Sequence, residues 1–115
     1  MKNLMVSLVV FSSLFHLACE KDRNNKNISA CALSMKHKFE KELVCTEKGT
    51  MESNLYEGIY NNQKVYFVDI MCPSCNTAAP QFGYTCDDKK VMFEEFSKVK
   101  DVKQVYNSCT KEFME

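Results

Sequence analysis

Cys72-Pro73-Ser74-Cys75 is the segment whose residue types and spacing could do chemistry. Two Cys separated by two residues can pass between dithiol and disulfide. One must then be a reactive thiolate and the other must resolve the mixed disulfide. The same spacing supplies half of a four-Cys zinc site. The second half is missing: Cys86 and Cys109 are far apart in the sequence and have no His beside them. Export, argued below, also disfavours free thiols. No metal and no cofactor are expected.

The redox reading carries a resemblance of its own. A Cys-x-x-Cys after an apolar strand, with Pro80 five residues beyond Cys75, looks like a thioredoxin active site. That resemblance implies Cys72 as a low-pKa thiolate at a helix N-terminus and Cys75 as the resolving thiol. The thioredoxin fold also needs two more strands and a helix after the motif, with a cis-proline facing it. Only 40 residues follow Cys75, and Pro80 is the last proline. No catalytic residue is therefore expected. An exported thiol-disulfide oxidoreductase using Cys72 and Cys75 is the alternative function.

Other constellations are weaker. His37 lies on a Lys-rich flank with no placed partner for a triad or metal site. Asp87-Asp88 and Glu94-Glu95 sit in charge-mixed runs that read as solvent-facing. No Gly-rich segment suggests phosphate binding. Fifteen basic residues balance fifteen acidic ones, so no electrostatic footprint for nucleic acid exists.

The remaining chemistry is cysteine's. The chain of 115 residues has seven Cys. An odd number in an exported protein leaves one over. The first of them explains itself. Met1-Lys2-Asn3 is a short basic start, Leu4 to Phe15 is apolar, and Leu17-Ala18 precedes Cys19. This is the pattern of a secretory signal over residues 1–18. The apolar run is shorter than the ~20 residues a spanning helix needs. Leu17-Ala18-Cys19 resembles the end of a bacterial lipoprotein signal. That resemblance implies cleavage before Cys19 and a lipid on its sulfur. His16 stands where that signal usually has an aliphatic residue.

Six Cys then remain for structure: Cys31, Cys45, Cys72, Cys75, Cys86 and Cys109. The segment from Glu20 to Asn27 has no apolar residue, so residues 19–27 read as a lipidated Cys and a solvated tether. Fully extended, that tether reaches roughly 26 Å. Residues 28–115 form the folded domain.

The elements that must position these Cys follow from periodicity. Ser29 is a candidate N-cap. Ile28, Ala32, Met35, Phe39 and Leu43 recur at helical steps, and Gly49 offers a stop, so a helix over 30–47 is expected. Leu55 to Met71 reads as a β-hairpin turning at Asn61-Asn62. A short strand near Phe82 and another at Val91 would continue a meander. Phe93, Phe96, Val99, Val102 and Val105 repeat every three residues, which predicts a short C-terminal helix. The expected fold class is α+β. One N-terminal amphipathic helix packs on a small antiparallel β-meander, followed by a short C-terminal helix and stapled by disulfides.

A further resemblance rests on a Cys-led helix, the strand Lys64-Val65-Tyr66-Phe67, a close Cys pair and two later Cys. The order is similar to that of small uncharacterised Cys-rich lipoproteins of Bacteroidota-like bacteria. Here two residues stand between the paired Cys. That group has no assigned activity, so the resemblance implies an anchor and a compartment but no reaction.

Disulfide pairing is predicted in part. Cys31 and Cys45 on one helix would lie about 21 Å apart, at 1.5 Å per residue, and could not bond. A Cys72–Cys75 bond would close a very short loop. Local closure favours Cys86–Cys109. Cys31 and Cys45 would then each take one of Cys72 and Cys75. The function expected from all this is a non-catalytic, envelope-anchored lipoprotein. Its partners would be the membrane, through its lipid, and an unidentified protein or small-molecule ligand, with no nucleic acid. It would sit on the periplasmic or cell-surface side. A secreted disulfide-rich effector without lipid is the third reading.

Overall fold

The computed structural model describes residues 28–114, so the signal, Cys19 and the tether lie outside the described residues. The first helix, α1, runs from Ala30 to Lys38. Ser29 caps it, its hydroxyl accepting from the Ala32 N–H at 3.0 Å. Lys36, His37 and Lys38 occupy the last turn, where cations suit the negative end of the helix. Ala32, Met35 and Phe39 form the buried stripe.

The helix is half its expected length. It gives way at Phe39, whose carbonyl accepts from both Glu42 and Leu43 as the chain turns. Cys45–Glu47 is then a strand, β1, where a helix had been expected. The apolar stripe is real as far as Phe39. Beyond it, Val44 and Thr46 are β-branched, and the Val44 carbonyl accepts from Ser53 N–H in the next strand. Nine-residue helices are marginal alone, so tertiary pairing decides where this one ends.

Strands β2 (Met51–Tyr60) and β3 (Gln63–Met71) form the long central hairpin. Asn61 and Asn62 turn it with φ of 48° and 63°. Two consecutive left-handed residues make a type I′ turn, whose twist matches the strands. Phe82–Tyr84 (β4) and Lys90–Met92 (β5) follow, then a single 3₁₀ turn at Phe96–Lys98, then β6 (Lys100–Asn107) and β7 (Glu112–Phe113). All pairings are antiparallel, in the order β5-β4-β3-β2-β6-β7, with β1 also on β2. The fold is therefore a seven-stranded sheet carrying one described helix, and the expected C-terminal helix is a strand. The repeat of three that suggested a helix comes partly from the 3₁₀ turn, where residues three apart align. The Val residues beyond it suit a strand.

Alternation along β2 and β3 splits the core in two. Leu55 and Tyr66 face α1 and pack with Ala32, Met35, Phe39, Val105 and Tyr106. Tyr60, Val65 and Phe67 face the other way and are covered by Phe93 and Val99. Phe67 is fully buried, with the rings of Phe93 and Phe96 edge-on to it at 5.8 and 5.2 Å. Burying one such side chain stabilises by about 1.5–3 kcal/mol.

The disulfides differ from the expected pairing. Cys31 bonds Cys86, Cys45 bonds Cys109, and Cys72 bonds Cys75, with Cα–Cα distances of 5.5, 4.9 and 5.2 Å. Sheet order explains the first two. β3 lines one edge of β2, so β1 and β6 share the other edge. Running antiparallel to β2, β6 delivers Cys109 beside β1 and Cys45. Cys86 follows β4, on the edge of the sheet that meets the start of α1. The expected Cys86–Cys109 closure does not form because β6, in place of a helix, carries Cys109 across the sheet to Cys45.

Candidate functional site

The site begins where β3 and β4 part. Among the described residues their one register pair is Tyr66 with Tyr84. Continued, that register would set Pro80 against Ile70. Pro80 has no N–H to give a neighbouring strand. The strands separate there, and a cleft of about 600 Å³ opens between Val68 and Ile70 on one side and Pro80, Gln81 and Phe82 on the other. Phe39 and Tyr84 complete its apolar floor, and Lys38, Glu42 and Ser53 stand at its rim.

Two apolar side chains in this cleft are left out of the core. Ile70 is 41 % exposed and Phe82 is 38 % exposed. Met92, paired with Phe82 across β4 and β5, is 59 % exposed and extends the same patch. The cations nearby lie over rings. Lys38 Nζ sits 4.0 Å from the Tyr84 ring centre and also pairs with Asp88. Its hydrogen bond to Asp88 raises its pKa above the usual 10.5. Lys90 Nζ lies 4.4 Å above Phe82.

The edge of β3 is also open. In a two-residue hairpin the residues flanking the turn form a hydrogen-bonded pair, and such pairs recur at every second position. Gln63, Val65, Phe67, Asp69 and Met71 thus bond to β2, while Lys64, Tyr66, Val68 and Ile70 point their backbone groups outward. Tyr66 finds β4. No strand lies beside Val68 and Ile70 among the described residues. The Ile70 N–H is met instead by the Asp69 carboxylate at 2.8 Å. Burial holds the Asp69 carboxyl above its ordinary pKa of 3.8, and the Ile70 N–H opposes that rise.

Cys72 and Cys75 follow the end of β3 directly, beyond the cleft-lining Ile70. Their bond spans a sequence separation of 3, against 55 and 64 for the other two. Cys72 is half-buried and Cys75 is exposed. One backbone hydrogen bond, Cys75 N–H to the Cys72 carbonyl at 3.1 Å, closes the turn. No helix begins at Cys72, so the dipole expected of a thioredoxin-like site is missing here. The pair does not tie the hairpin to α1, as the sequence reading had it.

The other sequence candidates stay apart from the cleft or serve structure. His37 is exposed and 3.7 Å from Glu40. Asp88 meets Lys38, and Glu94 meets Lys98 at 3.5 Å. Among the described residues no cluster of His, Cys, Asp and Glu could hold a metal ion.

Sequence reasoning missed two buried carboxylates. Glu57 sits under α1's face of the sheet, 3.0 Å from Lys103 and 3.6 Å from Lys64. Glu52 accepts from Asn54 and Asn107 side chains at 2.8 and 2.9 Å and from the Gly49 N–H at 3.2 Å. Asn54, fully buried, accepts in turn from the Ser108 N–H and hydroxyl. These donors, Asn54 first, hold the Glu52 carboxyl below its ordinary pKa. Every buried polar side-chain atom in the described residues is satisfied, so this network reads as structural. Its signal was present as the polar run Glu52-Ser53-Asn54 entering an apolar strand.

Comparison with protein-family models, curated proteins and solved structures finds no match.

Proposed function

We propose that the chain is an exported envelope protein, held at a membrane by a lipid on Cys19, whose domain binds an extended segment of another polypeptide. The observation that carries the binding reading is the open edge of β3 at Val68 and Ile70, set against an apolar cleft. An extended peptide meets both needs at once. Its backbone pairs with outward N–H and C=O groups, and its alternate side chains enter the apolar floor. A small ligand would use the floor and leave the edge unpaired. Exposed apolar surface of this kind, rimmed by polar residues, marks interaction sites.

The anchor reading rests on the sequence: the apolar run, Leu17-Ala18-Cys19 and the odd number of Cys. The six remaining Cys fall into three bonds, which accords with an oxidising compartment. The resemblance to small Cys-rich lipoproteins of Bacteroidota-like bacteria points the same way.

Two experiments test this. Cys19→Ala should shift the protein from the membrane fraction to the soluble one, or leave it unprocessed. A mature N-terminal Cys19 with no lipid mass contradicts the anchor. For binding, a labelled hexapeptide alternating Thr and Val should raise fluorescence anisotropy with the full chain. Phe82→Ser and Ile70→Ser should each weaken it by about tenfold, the loss of one buried apolar contact. Equal binding by both variants contradicts the cleft as the site.

A further inference from the structure

We infer that Cys72–Cys75 is a thiol–disulfide exchange site, able to open and reclose while the fold stays closed by the other two bonds. The argument starts from what each bond holds. Cys31–Cys86 ties α1 to the segment that follows β4, and Cys45–Cys109 ties β1 to the chain just past β6. Both join elements distant in sequence. Cys72–Cys75 joins residues within one turn and links no two elements. Loop-closure entropy grows with the loop, so the two long bonds carry most of the stapling. Opening the short one frees a turn that is already exposed and outside regular structure.

Access follows the same pattern. Cys75 is exposed and Cys72 half-buried, so an incoming thiolate reaches the Cys75 sulfur first. The co-reactant is a dithiol, such as two Cys of a polypeptide. Its first thiolate attacks Cys75 Sγ. A bond forms between them as the Cys72–Cys75 bond breaks, and the electron pair leaves on Cys72 Sγ, which takes a proton. The second thiolate then attacks the first partner sulfur. The partner's disulfide forms, and Cys75 Sγ leaves with the electron pair and takes the second proton. Two electrons and two protons pass from the dithiol to the domain, and no other oxidant is needed. A polypeptide paired along β3 at Val68 and Ile70 would run on toward this turn, which follows β3 directly. That last point rests on the peptide-binding reading, while the exchange chemistry does not.

The test uses the full chain, with each Cys read separately by alkylation and peptide mapping. Graded dithiothreitol should open Cys72–Cys75 at a concentration about tenfold below that needed for either long bond. The far-ultraviolet and near-ultraviolet circular dichroism should stay unchanged at that point. A synthetic peptide with two Cys in a Val-rich extended sequence should be oxidised about tenfold faster than by oxidised glutathione at equal concentration. In the reverse direction, with the peptide supplied as its disulfide, the Cys75 thiolate of Cys72→Ser should displace one peptide sulfur as a thiol and hold the other as a mixed disulfide, since no Cys72 thiolate remains to release it. Co-reduction of all three bonds, loss of near-ultraviolet signal on opening Cys72–Cys75, or a peptide rate no better than glutathione would each overturn the inference. Phe82→Ser separates the two readings. It should slow the peptide reaction and leave the dithiothreitol reaction alone. Fast peptide oxidation unaffected by Phe82→Ser would retain the exchange site and remove the cleft from it.

Discussion

Tyr66 pairs with Tyr84 across β3 and β4, and among the described residues it is the pair at which those strands meet. The cleft opens from this pair toward Ile70 and Pro80, with Tyr84 itself in its floor. Gly83, next to Tyr84, is what permits so close a junction. A Cβ there would stand 2.7 Å from the Tyr66 carbonyl oxygen and 2.9 Å from the Phe93 ring. Backbone and a buried ring cannot both yield. Gly83→Ala should destabilise the domain by about 1–3 kcal/mol, as overpacking does. Urea unfolding measures it, and an unchanged midpoint would show that β4 moves away freely.

The disulfides should rank by loop length. Chain entropy gives about 4 kcal/mol for each long bond and about 2 kcal/mol for the short one. Cys31→Ala with Cys86→Ala, or Cys45→Ala with Cys109→Ala, should therefore cost roughly twice what Cys72→Ala with Cys75→Ala costs. Denaturant midpoints for the three double variants check the order. A larger loss for the Cys72 and Cys75 pair would mean that the short bond is a staple.

Acid should act through Glu52. Its folded pKa lies below the ordinary 4.5, so the unfolded chain binds a proton more readily. The stability it contributes is fully present above pH 4.5 and is lost as pH falls through the lower folded value. Glu52→Gln sets an amide donor where the carboxylate accepts. It should cost about 1–3 kcal/mol at neutral pH, since a buried N–H then faces another. The variant should also show a flatter stability profile in that acid range. Asp69 acts in the opposite sense. Burial raises its pKa above 3.8, so protonation favours the folded state and partly offsets the loss from Glu52. A parallel pH profile for Glu52→Gln and the parent would contradict the role of Glu52.

Some of this was legible in the residues. Asn61-Asn62 announced its turn because two adjacent Asn tolerate the left-handed region. Ser29 announced its cap, and the Ala32-Met35-Phe39 stripe its buried face. The remainder depended on partners far along the chain. Whether Cys45 and Thr46 continue a helix or join a sheet is decided by β2. Val99 to Tyr106 could satisfy either period until β2 offered an edge. The disulfide partners followed from that edge, since β1 and β6 meet on it. Pro80 stood out for its distance from Cys75, but its effect on the β3 edge arises only through the register of Tyr66 with Tyr84. Glu52 and Asn54 gave a local polar pattern, while Asn107 and Ser108, which satisfy them, come from β6.

The most direct test of the binding account is amide shift mapping of the labelled full chain titrated with the alternating Thr and Val hexapeptide. The largest changes should fall on Val68 to Met71 and on Gln81 and Phe82. The Val68 N–H should gain protection from exchange as a new strand pairs with it. N-methylating alternate residues of the peptide should abolish both effects. Changes centred on the opposite face, at Phe93 and Val99, or binding that N-methylation leaves intact, would contradict addition of a strand to β3.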